Sequence, residues 1–80
     1  MPRVVRLSDV LAIYVYADHN PPHFHVEGAG WALCYDLRDF SLYAGDERTA
    51  PKAQVRRALA WAQANQAILW DMWSRLNERE

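Results

Sequence analysis

The sequence predicts an α+β fold, in which a three- to four-stranded antiparallel β-meander is followed by a long C-terminal helix packed on one sheet face. Two observations lead to this prediction. Residues 10–44 form short runs with alternating side-chain faces, separated by turns that contain glycine or proline, which is typical of antiparallel strands with short connections. Residues 51–77 are helix-forming and carry an apolar stripe at helical spacing. The 80 residues are expected to form a single domain, residues 1–80.

Composition limits the classes of protein that the chain can belong to. Hydrophobic residues make up 51% of the sequence, with four Trp and four Tyr, which is enough for a globular core. The net charge of −1 indicates no particular partner. Cys34 is the only cysteine, so the chain has no internal disulfide and we expect a cytoplasmic protein. No apolar run approaches the roughly 20 residues of a membrane span, so no membrane association is expected.

The strands follow from alternation and from their flanking turns. The predicted strands cover about residues 3–7, 10–17, 23–27, 31–36 and 40–44. The first of these is either a short edge strand or an extended arm. The run 10–17 is rich in β-branched and aromatic residues and neither of its faces is strongly polar, which favours a central strand. Gly28-Ala29-Gly30 predicts a hairpin turn, because glycine tolerates positive φ.

The predicted strand 23–27 separates two kinds of side chain. Phe24 and Val26 share one face, and His23, His25 and Glu27 share the other, because successive side chains of a strand point to opposite faces. We therefore expect Phe24 and Val26 to point into the core. The other three residues are expected to be exposed or half-exposed on the open face of the sheet.

The C-terminal third is predicted to be helical over about residues 51–77. Thr49 is the predicted N-cap, and Pro51 falls in the first turn, where proline is tolerated. The apolar stripe consists of residues spaced alternately four and three apart: Val55, Leu59, Ala62, Gln66, Leu69, Trp73 and Leu76. At 1.5 Å per residue the helix would be about 40 Å long, which is long for so small a domain. A bend near Asn65 is left open, since the stripe keeps its phase across that residue.

The segment from His19 to Glu27 contains all three histidines and two adjacent prolines. His23 and His25 lie about 6.5–7 Å apart at Cα on one strand face, close enough to bind one metal ion. His19 is predicted to supply a third nitrogen, and Asp18 or Glu27 an oxygen. Such ligands suit a divalent metal, with zinc as the candidate cofactor. The alternative interpretation is structural: the prolines shape a turn, and the imidazoles hydrogen-bond to the backbone to hold it.

Metal-free acid–base chemistry is the other catalytic reading of the same residues. His23 or His25 beside Glu27 or Asp18 would form a general base with an orienting carboxylate, since histidine titrates near neutral pH. The candidate catalytic residues are His23, His25 and Glu27. The candidate proton donors are Tyr14, Tyr16 and Tyr35, although a tyrosine more often packs with its hydroxyl at the water edge.

A cluster of cations precedes and begins the predicted helix. It consists of Arg48, Lys52, Arg56 and Arg57, and residues 48–57 contain no acidic residue. Positive charge near a helix N-terminus opposes the helix dipole, so this choice of residues indicates an anionic partner such as the phosphates of RNA. The alternative is a solvated basic face without a ligand.

The segment Asp18-His19-Asn20-Pro21-Pro22-His23-Phe24-His25-Val26-Glu27 resembles the histidine box of a small bacterial family known as domain of unknown function 4160. The resemblance covers nearly the whole chain, and it includes the Met-Pro start, the Gly-containing hairpin and the late tryptophans. It implies a two-gene arrangement similar to a toxin–antitoxin pair, with a partner protein from a neighbouring gene and RNA as a candidate target. The chain differs from the family in its Ala-rich segment, residues 58–67.

Two functions are therefore expected. The first is that of a binding component of a toxin–antitoxin-like system, which contacts a partner protein or RNA. The second is that of a His-dependent or metal-dependent hydrolase or nuclease centred on the histidine box. A homodimer is a further candidate assembly, because aromatic surface on so small a domain is often covered by another chain.

Overall fold

The computed structural model describes residues 3–18 and 21–77, which form an antiparallel sheet followed by two helices. The strands are β1 (Arg3–Ser8), β2 (Leu11–Tyr14), β3 (His23–Gly28), β4 (Trp31–Asp36) and β5 (Leu42–Ala44). Their order in the sheet follows the chain, β1-β2-β3-β4-β5, and every neighbouring pair is antiparallel. The α+β meander is thus confirmed, with five strands where three to four were expected.

The additional strand is β1, which pairs with β2 instead of forming a free arm. β2 is flanked on both sides by other strands, as expected for a central strand, but it ends at Tyr14 rather than at residue 17. β5 begins at Leu42 rather than at residue 40, because Phe40 has a φ of 63° and lies in a turn. The amide of Phe40 donates to the carbonyl of Asp36 at 2.8 Å, which closes that turn.

One face of the sheet and both helices share a single core. Phe24 and Val26 are fully buried, as the alternation predicted. Tyr35 stacks on Phe24 with ring centroids 6.0 Å apart. The buried core consists of Leu11, Ile13, Val15, Phe24, Val26, Leu33, Tyr35, Leu37, Ala50, Ala58, Ala62, Leu69 and Trp73. In β3 the apolar members of this core are the two residues predicted to point inward, so burial of apolar surface explains the register of that strand.

The helical part begins differently from the prediction. A 3₁₀ helix, Glu47–Thr49, precedes α1 (Lys52–Ala64). Pro51, rather than Thr49, occupies the N-cap position of α1, and it makes no side-chain capping bond. The Thr49 hydroxyl instead donates to the Asp46 carbonyl at 2.7 Å, so it stabilises the 3₁₀ turn.

The bend near Asn65 is a break between α1 and α2 (Gln66–Asn77). Asn65 has φ −127° and ψ 32°, outside the helical region, and its side-chain amide donates to the carbonyl of Trp61 at 2.9 Å. Gln66 then donates to the carbonyl of Leu37 at 2.9 Å, which joins the start of α2 to the chain beyond β4. Within the described parts of the chain, neither helix has the length and apolar character that crossing a membrane requires.

The end of α2 is bonded to the segment that follows β2. The side-chain oxygen of Asn77 accepts from the amide of Asp18 at 2.7 Å, and its side-chain nitrogen donates to the carbonyl of Tyr16 at 3.3 Å. These two bonds hold Asp18 near the beginning of β3. The helix therefore positions one edge of the histidine box.

Asp36, which is 7% exposed, provides a test of the turn after β4. The side chain of Arg38 donates to it at 2.6 and 3.0 Å, and this interaction is the main cause that lowers the pKa of Asp36 from 3.8 to about 2. A lowered folded-state pKa stabilises the protein above about pH 4, and this contribution disappears as the pH falls toward about 2. Asp36→Asn should therefore reduce the free energy of unfolding by about 1–2 kcal/mol at pH 7, the modest size reflecting the exposure of Arg38.

Urea unfolding at pH 7, 5 and 3 measures this effect. The difference between wild type and Asp36→Asn should shrink at the lowest pH, whereas the exposed Asp9→Asn control should change little. A loss of stability that is the same at all three pH values would contradict the role of the carboxylate charge.

Candidate functional site at the histidine box

His23 is buried, with 3% of its surface exposed, so the expectation that it lies open on the sheet face is wrong. Two aromatic rings pack against its imidazole. Tyr43 of β5 lies at a centroid distance of 4.9 Å and Trp73 of α2 at 5.4 Å. The alternation assigned His23 to the correct side of its strand relative to Phe24, but it could not show that a distant helix covers this end of the strand.

Both nitrogens of His23 have polar neighbours. Nδ1 lies 2.7 Å from the carbonyl oxygen of Pro21, and Nε2 lies 3.2 Å from Oδ2 of Asp18. A carbonyl oxygen only accepts, so Nδ1 carries the proton in this contact. Nε2 then either donates a second proton to Asp18, with the ring as an imidazolium, or offers its lone pair toward the carboxylate. In the second state a proton on the carboxyl, or a cation between the two atoms, relieves the repulsion of their lone pairs.

His25 is half-buried and has a different environment. Its Nδ1 lies 3.3 Å from the sulfur of Cys34, and the Tyr16 ring meets the imidazole edge-on at 4.6 Å. The His23 ring is 5.2 Å away between centroids. Burial lowers the pKa of His25, and the nearby His23 lowers it further. His25 is therefore held toward the neutral form, in which it has a lone pair for a proton or a metal ion.

Within the described residues, Asp18, His23 and His25 form a group whose side chains offer three candidate ligand atoms for a metal ion. One ligand atom from each lies within 4.8 Å of the others. Two atoms bound to one zinc ion at about 2.1 Å lie about 3.0–3.4 Å apart, and the 3.2 Å between His23 and Asp18 falls in that interval. Of the two carboxylates that were considered as oxygen ligands, Asp18 is the one that lies in this group. His19, the predicted third imidazole, lies outside the described residues.

Glu27 shares the strand face of His25 but does not join this group. Its Oε2 accepts from the Tyr16 hydroxyl at 3.0 Å. Burial, followed by this hydrogen bond, raises the pKa of Tyr16 to about 12. Tyr16 therefore links the carboxylate of Glu27 to the ring of His25. Tyr35, in contrast, is buried in the core and donates to Glu47 at 2.6 Å, so it takes no part in the site.

Cys34 is a site residue that the sequence analysis missed. It lies directly opposite His25, because the tight hairpin pairs Gly28 with Trp31 and so sets the register of β3 and β4. Counting outward from that hairpin would have found it. Burial raises the pKa of the Cys34 thiol, and the carboxylates of Asp18 and Glu27 raise it further, so the sulfur is held as a neutral thiol.

The four predicted anion-binding cations separate into different environments. Arg48 pairs with Asp46 through two contacts of 3.0 and 3.1 Å. The positive charge of Arg48 is therefore neutralised by an acidic residue that comes just before the basic cluster. Lys52 and Arg56 line a groove of about 430 Å³ beside the start of α1, and Arg57 does not line it. The groove and the histidine box share no lining residue.

These features define a small α+β protein with a histidine–carboxylate cluster where a central strand meets the last helix. A family model described as a domain of unknown function (DUF4160) matches residues 10–74. The chain therefore belongs to this family, as the resemblance of its histidine box indicated. No curated protein and no solved structure matches the chain.

The reactivity of Cys34 tests the electrostatics of the site. Because burial and two carboxylates raise the pKa of its thiol, we expect alkylation by iodoacetamide at pH 7.5 to be about tenfold slower than in the urea-unfolded chain. Glu27→Gln should accelerate the reaction by removing one of these charges. Mass spectrometry measures both alkylation rates. Equal rates in the folded and the unfolded chain would contradict the described environment of the thiol.

Proposed function

We propose that Asp18, His23 and His25 bind a divalent metal ion, zinc being the candidate, and that the protein is a metal-dependent hydrolase acting as a nuclease. One observation carries the proposal: Nδ1 of His23 faces a carbonyl while Nε2 faces a carboxylate oxygen at 3.2 Å. A metal-bound histidine commonly donates its other N–H to a carbonyl, which fixes the ring orientation. Nε2 and the carboxylate then point their lone pairs at one position.

The second histidine supports the same assignment. The pKa of His25 is lowered by burial, so its ring is held neutral, as metal binding requires. His23 is held rigidly by Tyr43 and Trp73, whereas Asp18 is more than one-third exposed and is able to adjust. Two imidazoles and one carboxylate also leave a coordination position for a substrate or water, as in catalytic sites.

The chain provides residues for the accompanying proton transfers. When bound, a zinc ion would supply Lewis acidity and lower the pKa of water. Glu27 is the candidate group that accepts a proton, and the Tyr16 hydroxyl holds its carboxylate in place. Without a metal, His25 and Glu27 would remain available as the acid–base pair of a His-dependent reaction.

Zinc titration tests the metal site. Protein purified without a His-tag should bind one zinc ion, and Asp18→Asn should weaken binding by about tenfold or more, because a charged ligand is lost. Asp9→Asn removes an exposed carboxylate outside the ligand group and is the matched control. Calorimetry measures the affinity, and circular dichroism checks that each variant is folded.

A lack of stoichiometric zinc binding, or equal affinities for the two Asp variants, would refute the metal site. His19→Ala tests whether this histidine adds a third nitrogen. Cleavage of RNA that is lost with a chelator and with His25→Ala would support the nuclease. Cleavage that survives chelation would instead favour the metal-free reaction.

Binding of a partner is the second candidate function, and the start of α1 favours it. The first turn of α1 has no acidic residue, and its N-cap residue makes no side-chain hydrogen bond. No side chain of this turn therefore offsets the positive end of the helix dipole. We propose that the protein is a component of a two-gene toxin–antitoxin-like system and that this basic region contacts a partner protein or RNA. Co-purification with the neighbouring gene product, with the mass of the purified chain alone as a check for a homodimer, tests the assembly.

Salt dependence distinguishes RNA binding from contacts with little charge. If phosphates contact this region, affinity for single-stranded RNA should fall steeply with rising salt, and Arg56→Ala with Arg57→Ala should weaken binding and flatten that dependence. Arg75→Ala is the control, because Arg75 lies in α2 and pairs with Asp71 at 3.0 Å. Fluorescence anisotropy at several salt concentrations provides the measurement, and an affinity that does not vary with salt would exclude RNA as the ligand.

A further inference from the structure

The groove beside α1 combines an apolar floor with a basic rim. It is lined by Glu47, Arg48, Ala50, Lys52, Val55, Arg56 and Leu59. Val55 and Leu59 are half-buried and pack against the hydrophobic core on their inner side. They lie four residues apart on one helix face, so they form a continuous apolar strip along the groove.

The rim of the groove carries a net positive charge. Lys52 and Arg56 are exposed, lie one helical turn apart, and have no ion-pair partner within residues 3–18 and 21–77. Arg48 is paired with Asp46, and the Glu47 carboxylate, which accepts from Tyr35 at 2.6 Å, offsets only one of the two remaining cations. The uncompensated N-terminus of α1 adds to the positive potential at the same end of the groove.

The apolar floor decides between the two kinds of anionic macromolecule. A phosphodiester chain would satisfy Lys52 and Arg56 but would leave Val55 and Leu59 without an apolar partner. An amphipathic helix satisfies both, because its carboxylates one turn apart match the two cations while an apolar side chain enters between Val55 and Leu59. A volume of about 430 Å³ lies in the range of small binding pockets and accommodates a few such side chains.

We propose that this groove binds an acidic amphipathic segment of a partner protein, with carboxylates against Lys52 and Arg56 and an apolar side chain on Val55 and Leu59. The proposal rests on the second proposed function, the binding of a partner, and is independent of the metal site. It specifies the chemistry of the partner: acidic and apolar residues on adjacent faces of one helix.

The test uses the full-length chain and designed peptides of about 14 residues, long enough for about four helical turns when bound. The acidic peptide presents Leu on one face and Glu on the flanks. In one matched peptide Gln replaces Glu, and in another Ser replaces Leu. Titration into the ¹⁵N-labelled protein should move the amide signals of Val55, Arg56 and Leu59 with the acidic peptide, and both matched peptides should bind about tenfold more weakly.

Two arginines in different helices provide the variant and its control. Arg56→Glu should weaken binding of the acidic peptide about tenfold, whereas Arg75→Glu, which lies in α2 and outside the groove, should change it less than about twofold. No signal change at up to about 1 mM acidic peptide, or equal binding of the Gln peptide, would overturn the proposal. A single-stranded RNA that moves the same signals and displaces the peptide would also overturn it, while leaving ligand binding at this region intact. Zinc binding by the same samples reports separately on the histidine box.

Discussion

The packing of α2 against the beginning of β3 is the contact on which the candidate site depends. Trp73 covers the His23 ring, and Asn77 bonds to the backbone at Tyr16 and Asp18. Burial of the imidazole excludes water from it, so its two nitrogens must find partners in the protein. The carbonyl of Pro21 and the carboxylate of Asp18 are those partners, so the buried imidazole at the start of β3 is bonded on both sides.

The histidine box lies on the sheet, whereas the groove lies beside the start of α1. The hairpin register brings His25 opposite Cys34, and Tyr16 joins His25 to Glu27, so the polar side chains lie along one face of β3. The cations and apolar side chains near the start of α1 line a groove that shares no residue with that site. The histidine–carboxylate cluster and the groove are therefore separate features of one small domain.

Much of the fold was predictable because its determinants are local. Alternation identified Phe24 and Val26 as buried positions of β3, and glycines marked the hairpin to β4. The apolar stripe of the helical part and the candidate bend at Asn65 were also predictable from the sequence. Errors arose at element ends: Phe40 adopts a left-handed turn, and Pro51 replaces Thr49 as the N-cap. Such positions depend on individual backbone bonds that propensity does not specify.

The sequence alone determined the meander, the side-chain faces of β3 and the concentration of histidines in one segment, because each follows from spacing along a few neighbouring residues. Only the tertiary structure decided that His23 is buried and that Asp18 is its partner. The reason is distance along the chain, since the amide of Asp18 is held by Asn77, 59 residues further on. Side-chain alternation shows which face a residue occupies, whereas long-range packing decides what covers that face.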